Sequence, residues 1–184
     1  MIKLVKLSLV VVIVLLLSSS VMAEEIQFRG VDFGSTIEEV EKKEGKTAVA
    51  GTEEMLFFED LLLGKDVIVA YQFNQDNQFY NGAYLFQMQP SNPNTYIVTY
   101  DRVVGELQSK YGEPTEQNEN WIPNPTFNDD LGWAVKTGEL SLNTKWKFDN
   151  GEIQLVLGNN DGMVFAIFYE STEYTQQEQQ SSKL

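Results

Sequence analysis

Hydrophobic positions follow two periods along the chain. Tyr100, Val104, Leu107 and Tyr111 sit at i, i+4, i+7 and i+11, one apolar stripe of a helix. Asn94 or Thr95 supplies a cap, Gly112 ends the helix and Pro114 blocks its continuation. A shorter helix is expected at about 36–44. There Ser35 and Glu38 form a capping box, Phe33, Ile37 and Val40 share a face, and Gly45 suits the left-handed position past the end. Elsewhere the period is two. Leu142, Thr144, Trp146 and Phe148 alternate with Ser141, Asn143, Lys145 and Lys147, which predicts one covered and one wet sheet face.

Strand-rich sequence follows each helix. After the first come Thr47–Ala50, Met55–Leu61, Asp66–Phe73 and Gln78–Gln89. After the second come Gly132–Lys136, Glu139–Phe148, Glu152–Leu157 and Met163–Glu170. Asn74 to Asn77, Asp149-Asn150-Gly151 and Asn159 to Gly162 are turn chemistry. Setting Gly45 on Gly112 brings Phe33 onto Tyr100, Ile37 onto Val104 and Val40 onto Leu107. The expected fold is α+β, with two tandem helix-then-antiparallel-sheet repeats at 24–92 and 93–171. One irregular fold without duplication is the alternative. Residues 172–184, rich in Gln, Glu and Ser, read as a disordered tail.

Residues 1–23 have the anatomy of a secretory signal peptide. Lys3 and Lys6 precede an apolar stretch from Leu7 to Leu17, and Val21-Met22-Ala23 is a cleavage site. The apolar stretch is shorter than the ~20 residues that span a bilayer. Cleavage after Ala23 would release an exported chain, periplasmic or secreted, with no membrane span and no lipidation.

Composition narrows the chemistry. There is no Cys and no His among 184 residues, and the formal charge is −14. Disulfides, thiol nucleophiles, Ser-His-Asp triads and imidazole metal sites are thereby excluded. The acidity argues against nucleic acid as a partner. Carboxylate doublets at Glu53-Glu54, Glu59-Asp60 and Asp129-Asp130 are the remaining catalytic candidates, but neighbours on a strand point to opposite faces. Three oxygen-rich loops, Asn74/Asp76/Asn77, Asn128/Asp129/Asp130 and Asn159/Asn160/Asp161, suit Ca²⁺ or ordinary turns, and none has the EF-hand spacing. Tyr80, Tyr84 and Phe86 alternate along one strand, as core packing requires. The segment Trp121-Ile122-Pro123-Asn124-Pro125-Thr126-Phe127, continuing to Trp133, is stiff and aromatic. It is either a lid on the core or a recognition loop with Trp121, Ile122, Pro123, Phe127 and Trp133 as contacts.

Phe28 to Ser35 with Ile37 to Val40, Val103 to Gly112 with Pro114, Asp129 to Ala134, and Phe168 to Ser171 resemble a family of small exported prokaryotic proteins of unknown function. The helix-then-sheet repeat is also similar to the beta-lactamase-inhibitor-protein-like fold and to SmpA/OmlA-type lipoproteins. That resemblance implies a role in binding proteins. Those groups carry disulfides or a lipidated Cys, which this chain lacks, so no binding residue transfers. The reading of the sequence is a non-catalytic exported protein that binds another envelope or extracellular protein, without metal or cofactor. A small ligand or Ca²⁺ between the repeats, and a carboxylate hydrolase, are the alternatives.

Overall fold

Turns and caps partition the chain before any packing does. In the computed structural model, residues 25–52 and 54–181 are described; residues 1–24, which include the expected signal peptide, Glu53 and the last three residues lie outside them. The elements run α1 (Ile37–Glu44), β1 (Ala50–Gly51), β2 (Met55–Leu62), β3 (Lys65–Phe73), β4 (Phe79–Phe86), α2 (Asn94–Tyr111), β5 (Glu116–Trp121), α3 (Leu131–Lys136), β6 (Leu140–Phe148), β7 (Gly151–Asn159), β8 (Met163–Ser171) and α4 (Thr172–Ser181). The fold is α+β. Eight antiparallel strands form one sheet in the order β1-β2-β3-β4-β8-β7-β6-β5.

The first helix is capped one residue later than its sequence suggests. Thr36, not Ser35, accepts from the Glu39 amide, and the Thr36 amide donates to the Glu39 carboxylate. Ser35 is held elsewhere, since its carbonyl accepts from Phe79 N at 2.8 Å. Asn94 does not cap α2 either. Asn92 Oδ1 takes the Asn94 amide at 3.0 Å, which frees the Asn94 side chain to bind α3 through Gly132 N and Asp130.

Three segments depart from expectation. Leu131–Lys136 is helix rather than strand. Asp130 caps its first turn, and Gly132 backs onto Asn94 so closely that a Cβ would lie 2.4 Å from the Asn94 amide. Residues Glu116–Trp121 form edge strand β5, which carries no apolar alternation because it is mostly exposed. The polar tail is helical to Ser181. Its first amide donates to Asn150 O, and Tyr174 lies against Gly34, so tertiary contact orders a segment that composition leaves open.

The helices α1, α2 and α3 pack on one face of the sheet, hereafter the inner face. Tyr100 Oη meets Thr144 Oγ1 at 2.8 Å, and Trp146 Nε1 donates to Gly112 O just past the end of α2. Thr144, Trp146, Ile153, Leu155 and Leu157 are all buried there, as the alternation in β6 predicts. The centre is filled from the N-terminal segment. Phe28 lies over Gly82, its ring 5.0 to 5.1 Å from those of Tyr71, Tyr84 and Tyr169. Two residues earlier, Ile26 exchanges backbone hydrogen bonds with the Asn150 side chain. One short segment therefore ties both halves of the sheet together.

Candidate functional site

Several of the candidates for catalysis and metal binding hold structural positions. Glu59 and Asp60 point to opposite faces of β2: Glu59 is exposed, while Asp60 pairs with Arg29 at 2.7 Å and Lys46 at 3.2 Å. Asp130 is the α3 cap. Asn74 is buried, and its Oδ1 accepts from Asp76 N and Gln78 N, an Asx turn that closes the β3–β4 hairpin. Asn77 adopts φ 57° in that turn and accepts from Ile37 N, while Asn159 Nδ2 donates to Lys136 O. Among the described residues no group of three Asp or Glu side chains is placed to hold a metal. The Tyr80, Tyr84, Phe86 alternation is broken by a bulge: Gln72 pairs with Asn81 and Phe73 with Phe79, so Tyr80 falls out of step.

A buried ionic cluster anchors the end of α1. Arg29 reaches both Glu44 oxygens, at 2.6 and 3.0 Å, and Tyr71 also donates to Glu44. Only 4% of the Glu44 side chain is exposed. Burial alone raises a carboxyl pKa, but the Arg29 and Tyr71 hydrogen bonds and the Arg29 charge outweigh it and hold Glu44 below the ordinary range. Burial likewise opposes the charge of Arg29, yet bonds to Glu44 and Tyr84 keep it protonated. Tyr84 is pushed up by burial. These groups satisfy one another and clamp the end of α1 to β3.

The loop after β5 divides between the two roles open to it. Trp121 and Phe127 are half-buried against the core, as a lid requires. Pro123 is exposed, Ile122 is 46% exposed, and Trp133 is 40% exposed and stacked on Phe127. Glu139 holds the loop by accepting from the amides of Thr126 and Phe127. The five residues thus share one corner of the molecule, with Ile122, Pro123 and Trp133 offering surface.

A second apolar surface lies on the other face of the sheet, where Phe57, Ile68, Leu85 and Phe168 are half-buried and Ala70, Ala83 and Ala166 are buried between them. Register sets Phe57, Ala70, Ala83 and Phe168 in one row across β2, β3, β4 and β8. The next row holds Ile68, Leu85, Ala166 and Val156, and Leu61 and Val164 lie beyond it at 66% and 46% exposure. The outer positions of these four strands include Glu59, Asp66 and Glu170 but no Lys or Arg. Toward β6 and β5 the same face turns polar, with Gln154, Asn143, Asn118 and the Lys145–Glu152 ion pair. An antiparallel sheet with one wet face normally alternates apolar and polar. Strands β3 and β8 instead run Val67-Ile68-Val69-Ala70-Tyr71 and Phe165-Ala166-Ile167-Phe168-Tyr169, apolar at both parities.

A scan against protein-family models gives no match, and a search of curated proteins gives none either. Among solved structures, the chain is similar to a DUF4309 family protein (YjgB) from Bacillus subtilis. Identity is 13%, the match covers 75% of this chain and 79% of that one, and the TM-score is 0.37. A likeness at that level carries no inference about function.

Proposed function

We propose that the chain is an exported, non-catalytic module that binds another protein of the envelope or extracellular space on the outer face of its sheet. The carrying observation is that the middle of the outer face is apolar across β2, β3, β4 and β8, through Phe57, Ile68, Leu85 and Phe168, while α1, α2 and α3 pack on the inner face and α4 meets the sheet at β4, β7 and β8. A contiguous, partly exposed apolar patch of this kind suits an interaction surface. Acidic side chains at its margin favour a partner with a basic rim. The strand order supports the tandem-repeat reading, because the last strands of the two halves, β4 and β8, meet at the centre of the sheet.

The experiment is capture from the native organism's envelope extract with tagged residues 24–184. Leu85→Lys/Phe168→Lys should stay folded, since both side chains are partly exposed and a Lys stem can carry its charge to water. It should retain less than a tenth of a stoichiometric partner held by wild type, because each Lys places a charge at a dry interface. Ile122→Ala/Trp133→Ala is the second arm. Loss of the partner from that variant alone would move docking to the loop.

A small apolar ligand is a second reading, favoured by a cleft of about 390 Å³ between the β2–β3 turn and α2, lined by Leu62, Leu63, Tyr84, Leu107 and Tyr169.

A further inference from the structure

Strand β5 is an open edge of the sheet. Ile122 N donates to Glu139 O at 2.9 Å, continuing the register that pairs Asn120 with Ser141. Antiparallel strands bond at every second residue. Asn118 and Asn120 therefore bond inward to β6, and the backbone N–H and C=O groups of Gln117, Glu119 and Trp121 turn away from the sheet. No further strand pairs with them among the described residues.

Beside this edge, a groove of about 440 Å³ separates β5 from α2. Tyr100, Val104 and Leu142 contribute to its lining, together with the carboxylates of Asp101 and Glu119. Among the described residues, neither carboxylate has a Lys or Arg within 4.0 Å. Burial raises the Asp101 carboxyl pKa with no cation to offset it. The Tyr100 phenol is pushed up to about 12, first by burial and further by the charges of Asp101 and Glu119, so both acids act on the same spot. The groove thus has an apolar floor and two exposed carboxylates on its rim, of which Glu119 also accepts from Trp121 Nε1 at 3.4 Å.

Charge selects the occupant. Strand β5 carries no basic residue; Lys147 of β6 takes Glu116, Glu119 has no cation within 4.0 Å among the described residues, and the whole chain has a formal charge of −14. A second copy would bring the same acids to the same edge and be repelled, which is how edge strands avoid self-pairing. A basic strand meets no such repulsion.

We propose that the β5 edge accepts a basic, extended segment of another protein as a ninth strand, with a Lys or Arg side chain seated between Asp101 and Glu119. Backbone bonds to Gln117, Glu119 and Trp121 give affinity, and alternate side chains entering the groove give selectivity. The site is separate from the outer sheet face and stands without it.

The test uses a blocked nonapeptide alternating Val and Arg, titrated against residues 24–184 by calorimetry. Three comparisons accompany it: a Val/Glu peptide, a Val/Arg peptide N-methylated at every residue so that neither edge can donate, and the protein variant Asp101→Asn/Glu119→Gln with an unchanged melt. The Val/Arg peptide should bind and should slow hydrogen exchange at the amides of Gln117, Glu119 and Trp121. The protein variant should weaken it at least tenfold. The Glu peptide and the N-methylated peptide should not bind, and Leu85→Lys/Phe168→Lys should leave binding unchanged. Equal binding of the N-methylated peptide would overturn the proposal, because attraction to an acidic protein needs no strand pairing. So would exchange protection away from β5, or no Val/Arg binding at millimolar concentration.

Discussion

Replacing Phe28 by Ala is expected to lower the unfolding free energy by about 3–5 kcal/mol, the usual cost of emptying a buried aromatic site. For a chain of this size that is roughly 10 °C in Tm. The ring is fully buried and touches Tyr71, Phe79, Tyr84 and Tyr169, which come from three different strands. Its seat exists because residue 82 is Gly; a Cβ there would stand 2.3 Å from the Phe28 ring. Gly82→Ala should therefore destabilise too. The double variant should cost less than the sum of the single ones, since an absent ring leaves room for the added methyl. Denaturant titration of the four proteins measures this. Strict additivity, or a loss below about 1 kcal/mol for Phe28→Ala, would show that the N-terminal segment is not the keystone of the core.

Arg29→Gln is expected to cost a similar amount at pH 7, about 3–5 kcal/mol, because it leaves a buried carboxylate without its cation. The sign of the pH dependence is fixed by Glu44. In the wild type its pKa is lowered on folding, so its contribution is present above the unfolded value, about 4.3, and is lost as pH falls through the folded value. In the variant, burial without Arg29 raises that pKa, so the carboxylate opposes folding until it protonates. The stability gap should therefore be widest near neutrality and shrink below about pH 4. A gap that stays constant from pH 7 to pH 3 would mean that Glu44 does not carry the effect. The left-handed backbone at residue 29, φ 57°, is common to both proteins and cancels.

The strands with clean alternation were legible in the sequence. Leu142, Thr144 and Trp146 face inward and Lys145 and Lys147 outward, because each parity has one chemistry. Helix α2 was legible from its stripe and Gly112. Helix α3 was not, since six residues are too few to show a period, and its cap bonds across to Asn94, thirty-six residues earlier in the chain. Strand β5 was not, since its bonds to β6 are backbone bonds that no side-chain pattern records. The aromatic loop was visible as composition, but its division into half-buried Trp121 and Phe127 and exposed Ile122 and Trp133 depends on how Glu139 folds it back. The apolar outer face needed register, because Phe57, Ala83 and Phe168 become neighbours only across strands.

The most direct measurement is carbene footprinting of residues 24–184, free and bound to the partner captured from envelope extract, read residue by residue by mass spectrometry. Docking on the outer face predicts that labelling of Phe57, Leu61, Leu85 and Phe168 falls on binding while that of Ile122 and Trp133 stays unchanged. Protection confined to Ile122 and Trp133, or labelling of the outer face as strong in the complex as in the free protein, would contradict it.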